Sequence, residues 1–437
     1  MSILAFAFFV ALGALLHRSR GLYDPAIVWL AAAFGLVVID LMRSGPWLQA
    51  GRRMTERLLG GAALFFCALQ FSDPVVVYAT PGAASTAIPR LMGLAGALSA
   101  GTLIVTLFPS RSKSATRAAA VMASAAIAVI AAAELLVPRA SPTPWIDVWV
   151  SGTRAVDYLT AGLNPYAQKY VDIYQGRYPY VPGFLYPPGL LLWLTPFRLA
   201  FGDIRFALIV ANWISAAAFF ASARTSGRRD LLPILSALVW LSFPVTNFVI
   251  EQAWSDLALV PTALLMLLAT SRARMWASST WMGVFVVMKQ YAFVAAALTL
   301  VRIWKSWGAR RALETLAVAA TLAALVILPF AVADLHALAR MTIAPQTDQT
   351  VRLDALNVTS YLAHAFGWVM PPAGRIGLTL LGGALAVVAA WRERAPVAAA
   401  SFIAYGFAFL FGKWAFCNYY FFLASFLLTC LVAPADV

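Results

Sequence analysis

Residues 276–304 read WASSTWMGVFVVMKQYAFVAAALTLVRIW. A helix needs roughly 20 apolar residues to cross the hydrocarbon core of a bilayer. This stretch is long enough, yet it carries Lys289 at its middle, with Gln290 and Tyr291 beside it. A charge at mid-span costs roughly 2.5–3.5 kcal/mol on insertion scales, so it normally faces a polar cavity and has a role. The stretch is therefore read as two half-helices that enter the membrane and return, broken near Lys289. Broken helices are tolerated where they line such a cavity. The blander alternative is a lysine that snorkels to the interface.

The surrounding sequence supports a membrane solvent. Of 437 residues, 62% are hydrophobic and 11% charged, and the mean hydropathy is +0.81. A soluble domain is nearer half apolar and a quarter charged, so lipid must cover much of this surface. Further candidate spans are 2–16, 24–42, 58–72, 91–108, 118–137, 206–222, 231–250, 254–270, 313–332, 375–391, 396–411 and 415–432. The first is read as a membrane helix rather than a signal peptide, because no basic region precedes it and no clear cleavage site follows. A shorter run, 184–200, is opened by Tyr186-Pro187-Pro188. The expected fold is all-α: a polytopic transmembrane helix bundle with large extracytoplasmic loops carrying short interfacial helices.

The net charge of +14 reads as the positive-inside bias of a multi-pass protein. Six basic clusters lie between apolar runs: Arg43 with Arg52, Arg53 and Arg57; Arg111, Lys113 and Arg117; Arg224, Arg228 and Arg229; Arg272 and Arg274; Arg302, Lys305, Arg310 and Arg311; Arg392 and Arg394. All six are cytoplasmic together if 184–200 does not cross fully and 276–304 returns on itself. His17, Arg18 and Arg20 are then left outside. Two large loops, 138–205 and 333–374, also fall outside. Long loops that are not disordered are usually functional, and the first is rich in Tyr, Trp and Pro. The chain changes character near residue 140. Residues 1–117 are read as accessory helices and 118–437 as the working module.

Few residues could carry chemistry. Asp147 lies between Trp145 and Trp149 just past a span. A partly desolvated carboxylate there has a raised pKa and suits a general base, though Asp also serves as a helix N-cap. A helix is expected at about 147–161, ended by the turn Gly162-Leu163-Asn164-Pro165-Tyr166. Tyr178-Pro179-Tyr180 and Tyr186-Pro187-Pro188 follow, all readable as loop architecture. Glu251, Gln252, Trp254 and Asp256 join two spans, and Gly412-Lys413-Trp414 through Asn418-Tyr419-Tyr420 join the last two. Arg352, Asp354 and Asn357 sit in the second large loop, where an Arg–Asp pair is often only structural.

Other classes lack their parts. There is no phosphate loop ending in Lys-Ser/Thr and no Gly-x-Ser-x-Gly elbow. No basic stripe interleaved with aromatics offers a nucleic-acid surface. His17, His336 and His364 are scattered, and Cys67, Cys417 and Cys430 have neither metal spacing nor a disulfide pattern.

Taken in order, these motifs resemble the polytopic GT-C glycosyltransferases that use polyprenyl-phosphate sugars, and within them the mannosyltransferase-like family GT87. The resemblance rests on Asp147 after a membrane helix, Gly162-Leu163-Asn164-Pro165-Tyr166, Tyr186-Pro187-Pro188, Lys289-Gln290, Arg352 to Leu356, and Lys413 followed by Asn418-Tyr419-Tyr420. It covers roughly residues 118–437. The family's acidic residue usually follows the first membrane helix, whereas five spans precede Asp147 here, and Trp149 stands where Tyr is common. The resemblance implies a bacterial inner-membrane enzyme with its site on the extracytoplasmic face. It would move a mannose- or arabinose-like sugar from a polyprenyl-phosphate donor to a hydroxyl of a lipid or glycan acceptor. Asp147 becomes the general base, and Lys289, Lys413 and Arg352 candidate ligands of the donor phosphate. Gln290, Asp354, Tyr186, Asn164, Tyr166 and Glu251 complete the expected substrate-binding set. No cofactor is implied; GT-C relatives include both users and non-users of a divalent metal. The competing class is a transporter or flippase of a lipid-linked sugar, which also places charges on broken helices but tends to show related halves, and none are visible. A scaffold gives no reason for Lys289.

Overall fold

The computed structural model describes residues 1–43, 48–108, 112–177, 181–225, 231–392 and 396–433, the side chain of Thr225 excepted. Among them the protein is α-helical, with two isolated β-bridges. Tyr178, Pro179, Tyr180, Arg111, Arg228, Arg229 and Arg394 lie outside the described residues.

The first helices are α1 (Ile3–Ser19), α2 (Ile27–Met42), α3 (Arg52–Ser72), α4 (Ala83–Leu107) and α5 (Lys113–Ala140). Then come the short α6 (Asp147–Thr160) and α7 (Pro188–Phe201), followed by α8 (Arg205–Thr225), α9 (Leu232–Leu241) and α10 (Thr246–Glu251). The remainder is α11 (Asp256–Ser271), α12 (Met275–Val286), α13 (Phe293–Trp307), α14 (Ala309–Thr342), α15 (Ala344–Asp348), α16 (Val358–Phe366), α17 (Pro372–Trp391), α18 (Val397–Phe411) and α19 (Cys417–Val432). Among the described residues five helices are long and apolar enough to cross a membrane by themselves: α4, α5, α8, α14 and α17. The outer face of α14 leaves Leu313, Leu325, Leu328 and Val332 exposed, as a lipid-facing helix must.

The expected break near Lys289 is present. Helix α12 stops at Val286, Lys289 is extended (φ −157°, ψ 148°), and a 3-10 turn, Gln290–Ala292, leads into α13. The expected span 231–250 is instead two pieces, because Pro244 cannot donate within a helix. The carbonyl of Ser242 freed there accepts from Gln70 Nε2 at 2.9 Å, and Asn247 Nδ2 donates to Gln70 Oε1 at 3.0 Å. The span 313–332 and the loop 333–374 also need correction. Helix α14 continues to Thr342 past a kink at Asp334 (φ −167°), whose Oδ1 accepts from Ala337 N at 2.8 Å and restarts the helix.

Hydrogen bonds fix which helix ends lie together. Arg57 donates to the carbonyls of Thr106 and Leu107 (3.0 and 2.9 Å), Arg272 to Ala221 O (3.3 Å), and Arg311 reaches Met275 Sδ (3.6 Å). The Lys305 ammonium lies 5.6 Å from the Trp391 ring. Arg205, which opens α8, donates to Ser141 O and Pro138 O at the far end of α5 (2.7 and 3.3 Å). The other ends of α5 and α8, with Lys113 and Arg224, therefore share one side. The described members of all six basic clusters gather at one end of the bundle. At the opposite end Thr80 N donates to Ala140 O, Tyr23 N to Asp354 O and Leu356 N to Ala415 O. Helix α7 starts beside the break, where Gly189 N donates to Val287 O, and ends next to Arg205, so it does not cross. A Cβ on Gly189 would sit 2.6 Å from that carbonyl, so only glycine fits. One continuous apolar core joins α1 through α19, including residues from the first 117.

Candidate active site

A cavity of about 490 Å³ opens at the end of the bundle away from the basic clusters. Its walls come from distant parts of the chain, among them Arg20 and Leu22 after α1, Val77 and Tyr78 after α3, Ile146–Val148, Tyr174, Tyr186, Lys289–Tyr291, and the Arg352–Asp354 and Trp414–Tyr419 segments. Asp147 and Lys289 thus face one space.

Asp147 is the first residue of α6, with Ile146 as N-cap, so the carboxylate stands at a helix N-terminus without being the cap. Its Oδ1 accepts from Val148 N at 2.9 Å and from the Tyr174 hydroxyl at 3.3 Å. Among the described residues no hydrogen bond reaches Oδ2. Burial pushes the carboxyl above its ordinary value, opposed by those two hydrogen bonds, by its own backbone N–H and by the positive charge of Arg352. The result is a carboxylate with one oxygen held and one oxygen available.

Lys289 is not a free cation. Its Nζ donates to Asp256 Oδ2 at 2.6 Å, and it lies 5.1–5.4 Å from the rings of Tyr419, Tyr291 and Tyr186. Asp256 is fully buried at the start of α11 and also accepts from Asn418 Nδ2 at 2.5 Å and from the Tyr291 hydroxyl. A buried ion pair persists only when hydrogen bonds satisfy its remaining lone pairs and protons, and this one has them on the acid side. The lysine keeps two further protons and a face on the cavity. A lysine in mid-membrane calls for a carboxylate partner, and two were present in the preceding connection. The charged partner is Asp256, whereas Glu251 was singled out from sequence.

Arg352 and Asp354 form a two-pronged pair on the cavity wall, Nε to Oδ1 at 2.8 Å and Nη2 to Oδ2 at 2.7 Å. The guanidinium lies 5.1 Å from the Phe416 ring. Burial acts to raise the Asp354 pKa, but Arg352 outweighs it and holds the carboxyl below its ordinary value. Gln290 Nε2 donates to Leu185 O (2.5 Å) and Thr342 O (3.0 Å), joining the broken helix to the first outer loop and to α14.

Other sequence candidates act from behind the wall. Asn164 caps the 3-10 turn Pro165–Ala167, accepting from Tyr166 N at 3.1 Å. Tyr166 is fully buried and donates to Tyr186 O at 2.8 Å, which sets the ring of Tyr186 at the cavity. Neither Asn164 nor Tyr166 lines the cavity. Lys413 does not line it either; its ammonium donates to the carbonyls of Gln346, Thr347 and Gln349 around the end of α15 (3.2, 2.8 and 3.1 Å). Glu251 is fully buried, and its two oxygens accept from Val77 N and Tyr78 N, each at 2.7 Å. Sequence reasoning overlooked Arg20, Tyr78 and Tyr174. Arg20 had been set aside as a charge at odds with the topology, yet it stands on the cavity wall, paired with Asp73 at 3.2 Å.

Among the described residues no group of three or more His, Cys, Asp or Glu could hold a metal ion.

The sequence model of glycosyltransferase family 87 matches residues 184–417, more than half of the chain. The chain belongs to glycosyltransferase family 87. It is a membrane glycosyltransferase. Comparison with curated proteins and with solved structures gives no match. The part of this family 87 chain that matches includes Tyr186, Asp256, Lys289, Gln290, Arg352 and Asp354 of the cavity region; Asp147, Tyr174, Arg20 and Tyr78 lie before it.

Proposed function

We propose that this glycosyltransferase moves a mannose- or arabinose-like sugar from a polyprenyl-phosphate donor to a hydroxyl of a lipid or glycan acceptor, with inversion. Asp147 is the general base. The acceptor oxygen attacks the anomeric carbon while its proton passes to Asp147 Oδ2. The bond from that carbon to the phosphate oxygen breaks, and polyprenyl phosphate leaves with the bonding pair. One base acting in one displacement inverts the centre, whereas retention uses a close carboxylate pair.

The observation that carries this reading is the meeting in one cavity of the cations Lys289 and Arg352 with an Asp147 oxygen that takes no hydrogen bond among the described residues. Positive charge aimed at a leaving phosphate stabilises the charge that develops on it. Lys289 and Arg352 are the proposed phosphate ligands, with Gln290, Asp354 and Tyr186 around them; Lys413 joins them only through the segment it ties down. The basic clusters at the other end support a site on the extracytoplasmic face, and the family resemblance suggests a bacterial inner membrane. In this reading residues 118–437 are the working module and 1–117 accessory helices whose connections also lend Arg20 and Tyr78 to the cavity wall.

The test uses purified protein in bilayers with radiolabelled polyprenyl-phosphate mannose or arabinose and a membrane-lipid extract as acceptor. Wild-type protein forms a labelled product, and Asp147→Asn, folded and inserted, forms none. Transfer by Asp147→Asn near the parent rate would remove the base assignment. Passage of labelled donor across sealed vesicles without product would favour a flippase.

A further inference from the structure

Glu251 is a buried carboxylate that does not line the cavity that holds Asp147 and Lys289. Its charge is spent on the backbone of a segment from the other half of the chain. Oε2 and Oε1 accept from Val77 N and Tyr78 N at 2.7 Å each, and Gln252 Nε2 adds a bond to Oε2 at 3.1 Å. Removing a carboxylate from water is costly unless its oxygens are satisfied, so this one specifies where Val77 and Tyr78 sit. The turn that delivers them is constrained as well. Asp73 Oδ1 accepts from Val75 N at 2.9 Å, and Val75 has φ +52°, an unfavourable conformation for a β-branched residue.

Both residues placed in this way are cavity wall. Tyr78 goes one step further. Its hydroxyl donates to Trp145 O at 2.8 Å, two residues before Asp147. Trp145 sits in a tight turn closed by Ile146 N donating to Pro144 O at 3.0 Å, and the extended Ile146 leads into α6, so the carbonyl held by Tyr78 bears on the angle at which Asp147 enters the cavity. Asp147 is thereby restrained from two sides, by Tyr174 at its own oxygen and by Tyr78 at the backbone two residues before it.

We propose that Glu251 and Tyr78 are positioning residues for Asp147, so that the strap after α3, although it precedes the family-matched region, is part of the transfer site. The inference rests on Asp147 being the base. A base displaced by about 1 Å loses on the order of a hundredfold in rate even when substrate still binds.

The experiment compares Tyr78→Phe, Glu251→Gln and Glu251→Asp with wild type and Asp147→Asn, in the same bilayer assay and with thermal stability of each purified protein. Tyr78→Phe removes one hydroxyl from an exposed contact and is expected to fold. It lowers kcat roughly ten- to a hundredfold with acceptor KM near wild type. Its acidic limb moves to lower pH as water reaches a loosened Asp147. Glu251→Gln turns an amide against a backbone N–H and lowers kcat further, and Glu251→Asp restores part of it. If Asp147→Asn is inactive while Tyr78→Phe keeps wild-type kcat and pH profile, the positioning role is wrong and the base assignment stands. If Asp147→Asn is active, both fall.

Discussion

At the scale of single residues the decisive feature is how Asp147 divides its two oxygens. Oδ1 is fixed by Val148 N and Tyr174, and Oδ2 takes no hydrogen bond among the described residues. In the proposed mechanism the base works as the ionised carboxylate, so activity is expected to fall as pH drops through its pKa in the folded protein. Burial raises that pKa, which puts the acidic limb of kcat/KM above the ordinary aspartate range. The Tyr174 hydroxyl opposes the rise by stabilising the charged form. Tyr174→Phe removes that opposition, so its acidic limb is expected at higher pH than wild type, the reverse of the shift for Tyr78→Phe. A pH series of kcat/KM for the two variants checks both signs. An unmoved or lowered limb in Tyr174→Phe would show that the 3.3 Å contact does not act on the ionised base. Lys289 teaches a second lesson at this scale. Its mid-membrane charge was legible from sequence, but its partner was not. Glu251 and Asp256 stand five positions apart in one connection, and only the fold shows that the first is spent on backbone N–H groups while the second meets the lysine.

At the scale of elements, most helices were legible because apolar runs of membrane length have few other readings. The break at Lys289, helix α6 and the proline-started α7 were also legible, each from a residue that interrupts or opens a helix. What escaped were features that depend on partners distant in sequence. The split between α9 and α10 is held open by Gln70, and the kink in α14 by the Asp334 carboxylate. Neither is a property of the local apolar pattern. Lys413 shows the same limit. As a residue type it suits a phosphate, but its three carbonyl acceptors make it a tie on α15, which carries Gln346 and, just beyond, Gln349 to the cavity. Lys413→Gln is therefore expected to cost about 1 kcal/mol of stability while leaving the donor KM close to wild type. Arg352→Ala, which removes a guanidinium from the wall itself, is expected to raise donor KM about tenfold or more, as for loss of a charged hydrogen bond. Donor titrations of the two variants separate the roles. A larger KM effect in Lys413→Gln than in Arg352→Ala would reverse the assignment.

At the scale of the whole molecule, charge and cavity occupy opposite ends. Hydrogen bonds among helix ends, rather than any hydropathy profile, gather the described basic clusters on one side and Arg20, Asp147, Arg352 and the outer loops on the other. Basic loops are retained on the cytoplasmic side during insertion, and the donor proposed above, carried on a polyprenyl tail, would be met at membrane level on one face only. The arrangement makes a prediction that needs no substrate. Gln175 is exposed in the first outer loop and Arg310 has a side chain 92% exposed at the basic end. Among the native cysteines Cys67 and Cys417 are buried and Cys430 is partly buried, so background labelling is low. In intact cells a membrane-impermeant maleimide is expected to label Gln175→Cys and to spare Arg310→Cys until the membrane is opened. The opposite pattern would place the cavity in the cytoplasm and remove the extracytoplasmic reaction, while leaving the geometry around Asp147 untouched. Labelling of both positions in intact cells would mean that the two ends share a face, which a bundle with antiparallel α5 and α8 cannot satisfy in a bilayer.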